Sequence, residues 1–306
     1  MTIESILRSI FQMNCKKSID SRANKKAFTL IELLIVIAII AILVALVTVA
    51  AGMMLQQAKS TKDLGNHRAI GMATYSHATD NNGKLLHPYT WDDDSGTLDQ
   101  DTINRFWIAG TLLGEIELKS ALEEGAAYQY IGDVMAFQSP LDPTIGDVTQ
   151  FVVTNPSVPV GRIRSYSLNA FVGVQMGADE NSTEYEDDFS AQGYWRSTET
   201  ISQVPQPANT MCSIGEEEKN GRNSQGWMIS PTSKRWIDFP AFWDNRRINM
   251  SYVDGSTGAI MLESDTLKQA WLDDEDGHNV DLPDNDVEYK KFRRVLLPGV
   301  IGSVLD

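Results

Sequence analysis

The hydrophobic pattern of the chain begins with one long apolar run. Residues 33–51 are nineteen consecutive positions without a charge, an amide side chain or a proline. With a rise of about 1.5 Å per residue, a helix over this run is about 28 Å long, close to the roughly 30 Å hydrocarbon core of a bilayer. The pattern therefore predicts a transmembrane helix near the N-terminus.

The same helix is predicted to continue beyond the apolar run. Residues 56–80 are polar, contain no proline, and place one stripe of positions at steps of three and four residues. The stripe consists of Leu64, His67, Ile70, Ala73, Thr74 and His77. The sequence Asn81-Asn82-Gly83 is typical of a helix C-terminus. We expect a helix from Phe28 to about Asp80, with a transmembrane half and an amphipathic half that Gly71 weakens slightly.

Beyond Lys84 the pattern changes to short segments separated by Gly, Pro, Asn and Asp. Segments with alternating or β-branched character predict strands at 150–154, 162–174, 210–214, 248–253 and 258–262. Asp254-Gly255-Ser256 predicts a tight hairpin turn between the last two. Acidic stretches at 92–101, 179–188, 216–218 and 273–286 predict surface insertions. The expected fold is α+β, with a long N-terminal helix packed on a β-rich globular head.

Charge is distributed unevenly and sets the expected orientation. Residues 1–27 contain six Lys or Arg and two acids, whereas residues 28–306 carry a net charge of −19, and the whole chain carries −15. Basic flanks of membrane helices remain in the cytoplasm, so we expect a single-pass inner-membrane protein whose head is exported to the periplasm or cell surface. So acidic a surface argues against nucleic acid as a partner.

Glu32 directly precedes the apolar run, in Lys25-Lys26-Ala27-Phe28-Thr29-Leu30-Ile31-Glu32. An ionised carboxylate inside a transmembrane helix costs about 2 to 3 kcal/mol on insertion scales, so we expect a partner for it. A basic leader, a small residue, Phe-Thr-Leu-Ile-Glu and an apolar run together resemble the N-terminal signal of type IV prepilins and type II secretion pseudopilins.

This resemblance implies that a prepilin peptidase cuts between Ala27 and Phe28 and methylates the new N-terminus. The family usually has Gly where this chain has Ala27. Residues 1–27 would then be a leader peptide, 28–83 the pilin-like helix and 84–306 the exported head. The Phe28 ammonium lies one helical turn from Glu32, which can neutralise it within the chain or on a neighbouring pilin-like subunit.

Two other interpretations of the N-terminal segment remain. In the first, it is a simple signal anchor in which Glu32 reaches the lipid headgroups. In the second, it is a secretory signal cut near Ala50 or Ala51, although its apolar run exceeds the usual 7 to 15 residues.

Short motifs in the head extend the resemblance to the processing-associated pilin-like proteins of planctomycete-like bacteria. They occur in the family's order, although Ser139 stands where the family has Cys, and Asp244 stands where it has His. The motifs are Ile70-Gly71, Asn82-Gly83, Ser139-Pro140-Leu141-Asp142-Pro143, Ser165-Tyr166-Ser167-Leu168-Asn169, and Asp244-Asn245 before Asp254-Gly255.

Oxygen-bearing side chains suggest two places where a cation could bind. Asp244, Asn245, Asn249 and Asp254 either stabilise their own turns or bind a cation, and the first interpretation is favoured. Calcium is the metal considered for the acidic segment 273–286, but the segment does not match an EF-hand loop. Leu272 stands where the first Asp of the loop would be, and Pro283 stands where the bidentate Glu would be. A solvated acidic loop without a cofactor is the favoured interpretation.

Side chains that could support catalysis do not form a known pattern. The histidines lack zinc spacing, Cys15 lies in the leader, and Cys212 is then the single cysteine of the processed chain. We therefore expect no enzyme. The histidines are His67, His77, His87 and His278.

Seven tryptophans lie in the head and leave a second function open. An exposed group of them would suit a membrane-anchored adhesin or glycan-binding module, whereas burial would make them core residues of a domain without disulfides. The core interpretation is favoured. The tryptophans are Trp91, Trp107, Trp195, Trp227, Trp236, Trp243 and Trp271.

Overall fold

A computed structural model describes residues 28–90, 99–109, 119–145, 164–174, 198–217, 226–230, 235–274, 280–281 and 286–296. The helices are α1 (Leu30–Asp80), α2 (Gln100–Ile103), α3 (Lys119–Glu124), α4 (Tyr128–Ile131), α5 (Thr266–Asp273) and α6 (Val287–Leu296). The strands are β1 (Tyr166–Leu168), β2 (Met211–Glu217), β3 (Arg235–Trp236), β4 (Phe239–Pro240), β5 (Arg247–Tyr252), β6 (Thr257–Met261) and β7 (Val280–Asp281). The chain divides into two compact units, Met1–Met53 and Met54–Asp306, which are described separately.

The first unit contains the N-terminal part of α1. Every residue from 28 to 49 is exposed, and α1 is long and apolar enough to cross a membrane. This confirms the predicted long apolar helix. The helix begins at Leu30 rather than at Phe28, because Thr29 occupies the capping position before its first turn.

The second unit contains the remainder of α1, which lies against the head along one side. The buried residues follow the predicted spacing, except that Leu64 is only half-buried. The helix ends at Asp80 as predicted, because Asn82 and Gly83 adopt positive φ angles of 55° and 87°. The Gly83 N–H then donates to the carbonyl of Ala78 at 2.7 Å, which satisfies one of the last helical carbonyls.

The main sheet of the head is antiparallel, with strand order β1-β2-β5-β6 and with β4 paired to the end of β2. Strands predicted at 210–214, 248–253 and 258–262 are confirmed as β2, β5 and β6. Of the segment 162–174, only Tyr166–Leu168 is strand among its described residues, and 150–154 lies outside them. The predicted hairpin turn is confirmed, with Gly255 at a φ of 82°.

Glu216 is buried and Glu217 is half-buried, so the prediction of a surface insertion at 216–218 is wrong for these two described residues. Glu216 is 1% exposed and accepts a hydrogen bond from the Ser167 hydroxyl. The reason is that β2 continues through Glu217, between β1 on one side and β4 on the other. Most of the other three acidic stretches lies outside the described residues.

The two faces of the sheet pack against different partners. Ile248 and Met250 belong to a large cluster that includes the aromatic rings of Trp236 and Phe292. The intervening Asn249 and Ser251 lie on the opposite face, towards α1. The fold is therefore α+β, with a long N-terminal helix and a β-rich head.

The described tryptophans are core residues rather than a surface platform. Trp107, Trp227 and Trp236 are fully buried, and Trp243 and Trp271 are half-buried. Trp91 and Trp195 lie outside the described residues. The five placed rings therefore follow the core interpretation, and they give no support to a glycan-binding surface.

Candidate functional site

The N-terminus of α1 is organised by reciprocal hydrogen bonds between Thr29 and Glu32. The Thr29 backbone N–H and hydroxyl both donate to Oε2 of Glu32, at 2.9 and 2.8 Å. The Glu32 N–H approaches Oγ1 of Thr29 at 3.3 Å. This is the capping box of a helix N-terminus, in which two side chains satisfy backbone donors that the helix itself leaves open.

The capping box fixes the position of the Glu32 carboxylate. It holds the carboxylate beside the backbone of residue 29, directly after Phe28, whose side chain is 73% exposed. Both Thr29 hydrogen bonds reach Oε2, and no described residue donates to Oε1. The carboxylate can therefore accept a further donor or cation at the start of the helix. Ala27 lies outside the described residues.

Thr29 has no separate role in the prediction from sequence, although a local signal for one exists. Thr29-Leu30-Ile31-Glu32 has the Thr-x-x-Glu pattern of a capping box immediately before an apolar helix. The pattern gives Glu32 a structural role at the helix start, in addition to any role as a counter-charge.

In the second unit, the polar centre is the buried carboxylate of Asp63. Its Oδ1 accepts hydrogen bonds from Ser139 Oγ at 2.5 Å and from the Tyr166 hydroxyl at 2.7 Å. Its Oδ2 accepts a hydrogen bond from Asn249 Nδ2 at 2.9 Å. Ser139 and Tyr166 belong to two of the head motifs, and Asn249 lies between Asp244-Asn245 and Asp254-Gly255 of a third. We call Asp63, Ser139, Tyr166 and Asn249 the Asp63 network. The network ties α1 to three separate segments of the head.

A second chain of hydrogen bonds runs beside the Asp63 network. His67 Nδ1 lies 2.8 Å from Ser213 Oγ, which in turn lies 2.6 Å from Ser251 Oγ. His67 Nε2 is 3.8 Å from Asp63 Oδ2. Burial lowers the pKa of His67, which keeps the imidazole neutral.

These residues have the composition of a Ser-His-Asp triad but not its accessibility. Asp63, His67 and Ser213 are 4%, 1% and 0% exposed. A nucleophile must reach its substrate, whereas Ser213 lies in β2 on the side of the sheet that α1 covers. The arrangement instead satisfies polar groups in the interior, in agreement with the predicted packing role of His67.

The structure does not bring together the four residues considered for a cation site. Asp244 accepts from Gln56 Nε2 at 2.9 Å, and Asn249 belongs to the Asp63 network. Asp254 lies beyond the other end of β5 and accepts from the Ser256 N–H at 2.9 Å. Asn245 occupies a turn with a φ of 55°. Turn stabilisation is confirmed for Asp254, while Asn249 has a different role from the one predicted.

The remaining candidate groups are explained by packing. His77 Nδ1 bonds the Lys84 carbonyl at 2.9 Å, and burial lowers the pKa of His87 to about 3. Burial raises the pKa of the Cys212 thiol to about 11. Within the described ranges, no group of three or more His, Cys, Asp or Glu is placed to hold a metal ion. Much of the acidic segment 273–286 and all of His278 lie outside those ranges.

Comparison with known proteins identifies the N-terminal segment. Residues 22–48 match the prokaryotic N-terminal methylation motif, and this range includes Ala27, Phe28, Thr29 and Glu32. No curated protein and no solved structure matches the chain. The head motifs therefore remain a resemblance in sequence. Over residues 22–48, the chain carries the N-terminal methylation motif of type IV pilin-like and pseudopilin-like proteins.

Proposed function

We propose that this chain is a pilin-like structural subunit whose leader is removed by a prepilin peptidase between Ala27 and Phe28. The observation that carries this proposal is the match of residues 22–48 to the N-terminal methylation motif. The exposed apolar part of α1 supports it, since a subunit must lie in the membrane before assembly. The proposal divides the chain into a leader (1–27), a helix (28–83) and an exported head (84–306).

The proposed assembly uses the charge at the start of α1. Cleavage would give Phe28 a free ammonium group one turn from Glu32, whose carboxylate the capping box already directs towards the helix N-terminus. In an apolar helix bundle this ammonium needs a counter-charge, and Glu32 of the same or of a neighbouring subunit supplies it. The assembly would belong to a type II secretion or type IV pilus-like system.

The proposed location follows from the charge distribution. The leader carries a net charge of +4 and residues 28–306 carry −19. Such a chain inserts with its leader in the cytoplasm, where the peptidase acts, and with its head exported across the inner membrane.

N-terminal sequencing of the chain from a membrane fraction tests this function. We expect an N-methylated Phe28 in wild-type cells and an uncut Met1 in cells without the peptidase. Ala27→Leu should block the cut, since the residue before the cut must be small, while Ala27→Gly should retain it. Asn24→Leu is the matched control and should be processed. A mature chain that begins near Gly52 would show an ordinary secretory signal and would contradict the proposal.

A further inference from the structure

Between residues 54 and 79, the solvent-exposed side of α1 carries positive charges without exposed acids, and the exposed Asp80 lies at the C-terminal end of the helix. Lys62 and Arg68 are exposed, Lys59 is half-buried, and the neighbouring acid, Asp63, is buried. From residue 33 to residue 79, the sequence contains no other Asp or Glu. We call Lys59, Lys62 and Arg68 the basic side of α1.

The described part of the head does not pair with the basic side, although the head is rich in acids. Residues 81–306 carry a net charge of −19, yet no described residue forms a salt bridge with Lys59, Lys62 or Arg68. Elsewhere in the described head, cations such as Lys84 and Arg246 do pair with carboxylates. The described residues thus leave these three cations without a carboxylate partner, although the sequence of the head has a large net negative charge.

We propose that the basic side of α1 docks on the acidic head of a second copy of this chain. The inference rests on the proposed function, because assembly through α1 brings several heads into proximity. Heads that each carry a charge of about −19 repel one another, so close packing requires positive charge that reduces this repulsion. The basic side supplies this positive charge, which is opposite in sign to the net charge of the head of the second copy.

The position of the basic side favours protein over lipid as its partner. Lys62 and Arg68 follow the last residue of the apolar run, Ala51, by 11 and 17 positions. At about 1.5 Å per helical residue, either separation along the sequence exceeds the roughly 5 to 8 Å of a headgroup layer. Met72 and Tyr75, which are 42% and 43% exposed, extend the surface with the Met and aromatic contacts typical of protein interfaces.

Crosslinking in membranes that contain the full-length chain tests this docking. Carbodiimide joins a lysine amine directly to a carboxylate in contact with it. In bands of dimer size and above, we expect links from Lys59 or Lys62 to acids within residues 81–306. Formaldehyde crosslinking provides a separate readout of assembly as a ladder of multimers.

Paired charge reversals provide the matched variants. Lys62→Glu/Arg68→Glu should weaken the formaldehyde ladder by about tenfold, because attraction becomes repulsion at two positions. Lys268→Glu/Lys290→Glu makes the same change in net charge at half-buried lysines on α5 and α6 and should leave the ladder unchanged. Tryptophan fluorescence should show the same head unfolding for both variants.

The outcomes separate the docking from the proposed function. Wild-type ladders together with undiminished ladders in Lys62→Glu/Arg68→Glu would contradict the docking alone. Ladders without any link to Lys59 or Lys62, or links from them to a different protein or only to lipid, would also contradict it. A processed wild-type chain that forms no ladder would contradict assembly itself, and the docking with it.

Discussion

Gly71 of α1 lies directly against Ser251 of β5. A Cβ at Gly71 would be 3.0 Å from Ser251 Cβ and 3.3 Å from the Gly255 Cα in the hairpin turn. The sequence alone predicts only that Gly71 weakens the helix. The structure shows that the missing side chain allows α1 to approach the sheet closely, so that the helical cost of glycine is offset by packing.

The two glycines in the head part of α1 should respond in opposite directions to the same substitution. Gly71→Ala should lower the free energy of unfolding by about 1 to 3 kcal/mol, because the added methyl group overpacks a buried contact. Gly65→Ala should raise it by about 0.5 to 1 kcal/mol, because nothing lies within 4 Å of its Cβ and alanine favours the helix.

Urea unfolding of the full chain in detergent, followed by tryptophan fluorescence, measures both glycine variants. All seven tryptophans lie between residues 81 and 306, so the signal reports on the head. Equal effects of the two substitutions would contradict the close packing at Gly71.

Removing the charge of Asp63 should destabilise the head strongly. Asp63→Asn replaces one accepting oxygen with a donor that faces other donors, so we expect a loss of about 2 to 4 kcal/mol in the same unfolding experiment. Asp80→Asn is the control, because among the described residues the exposed Asp80 carboxylate accepts only the Tyr130 hydroxyl, at 3.1 Å. This variant should change stability by less than about 0.5 kcal/mol. A similarly small effect of Asp63→Asn would show that the Asp63 network contributes little to the free energy of unfolding.

Stability should fall as the pH is lowered from about 7 to 5. Burial lowers the pKa values of His67, His77 and His87, that of His87 to about 3, so the unfolded chain binds more protons than the folded one below about pH 6.5. Each histidine then contributes a slope of up to about 1.4 kcal/mol per pH unit. Urea unfolding at pH 7, 6 and 5 should show this loss.

His87→Gln removes the contribution of His87 to this pH dependence of stability. Glutamine does not titrate, so the slope near pH 5 should fall by about 1.4 kcal/mol per pH unit relative to the wild type. An unchanged slope in this variant would mean that His87 is not held neutral by the fold.

The helix and the hairpin could be predicted because their signals are local. The apolar run, the stripe with His67 and Ile70, and the Asp254-Gly255 turn each depend on residues within a few positions of one another. The Thr29–Glu32 capping box has the same local character and could have been predicted as well.

The Asp63 network could not be predicted in this way. Ser139, Tyr166 and Asn249 lie 76, 103 and 186 residues from Asp63 along the chain. Polar positions alternating with Ile248 and Met250 in a strand would ordinarily face water. In this fold, α1 presents its own polar residues to them, so Asn249 and Ser251 are buried.

The central claim is that the Glu32 carboxylate supports assembly by neutralising the Phe28 ammonium. Glu32→Gln keeps the shape of the side chain and removes its charge. Membrane insertion should be unchanged or improved, because a carboxylate is costly in a bilayer. Assembly should be lost, because an unpaired ammonium in an apolar bundle costs about 3 to 5 kcal/mol. Thr29→Ala is the matched control, since it removes the Oγ1 contacts of the capping box and keeps the charge.

The most direct measurement is formaldehyde crosslinking in intact cells that produce the wild type, Glu32→Gln or Thr29→Ala, with each N-terminus sequenced to verify the cut at Phe28. The account predicts multimer ladders for the wild type and Thr29→Ala, and their disappearance for a processed Glu32→Gln chain. Undiminished ladders from processed Glu32→Gln would contradict it and would leave Glu32 as a helix-capping residue of a membrane anchor.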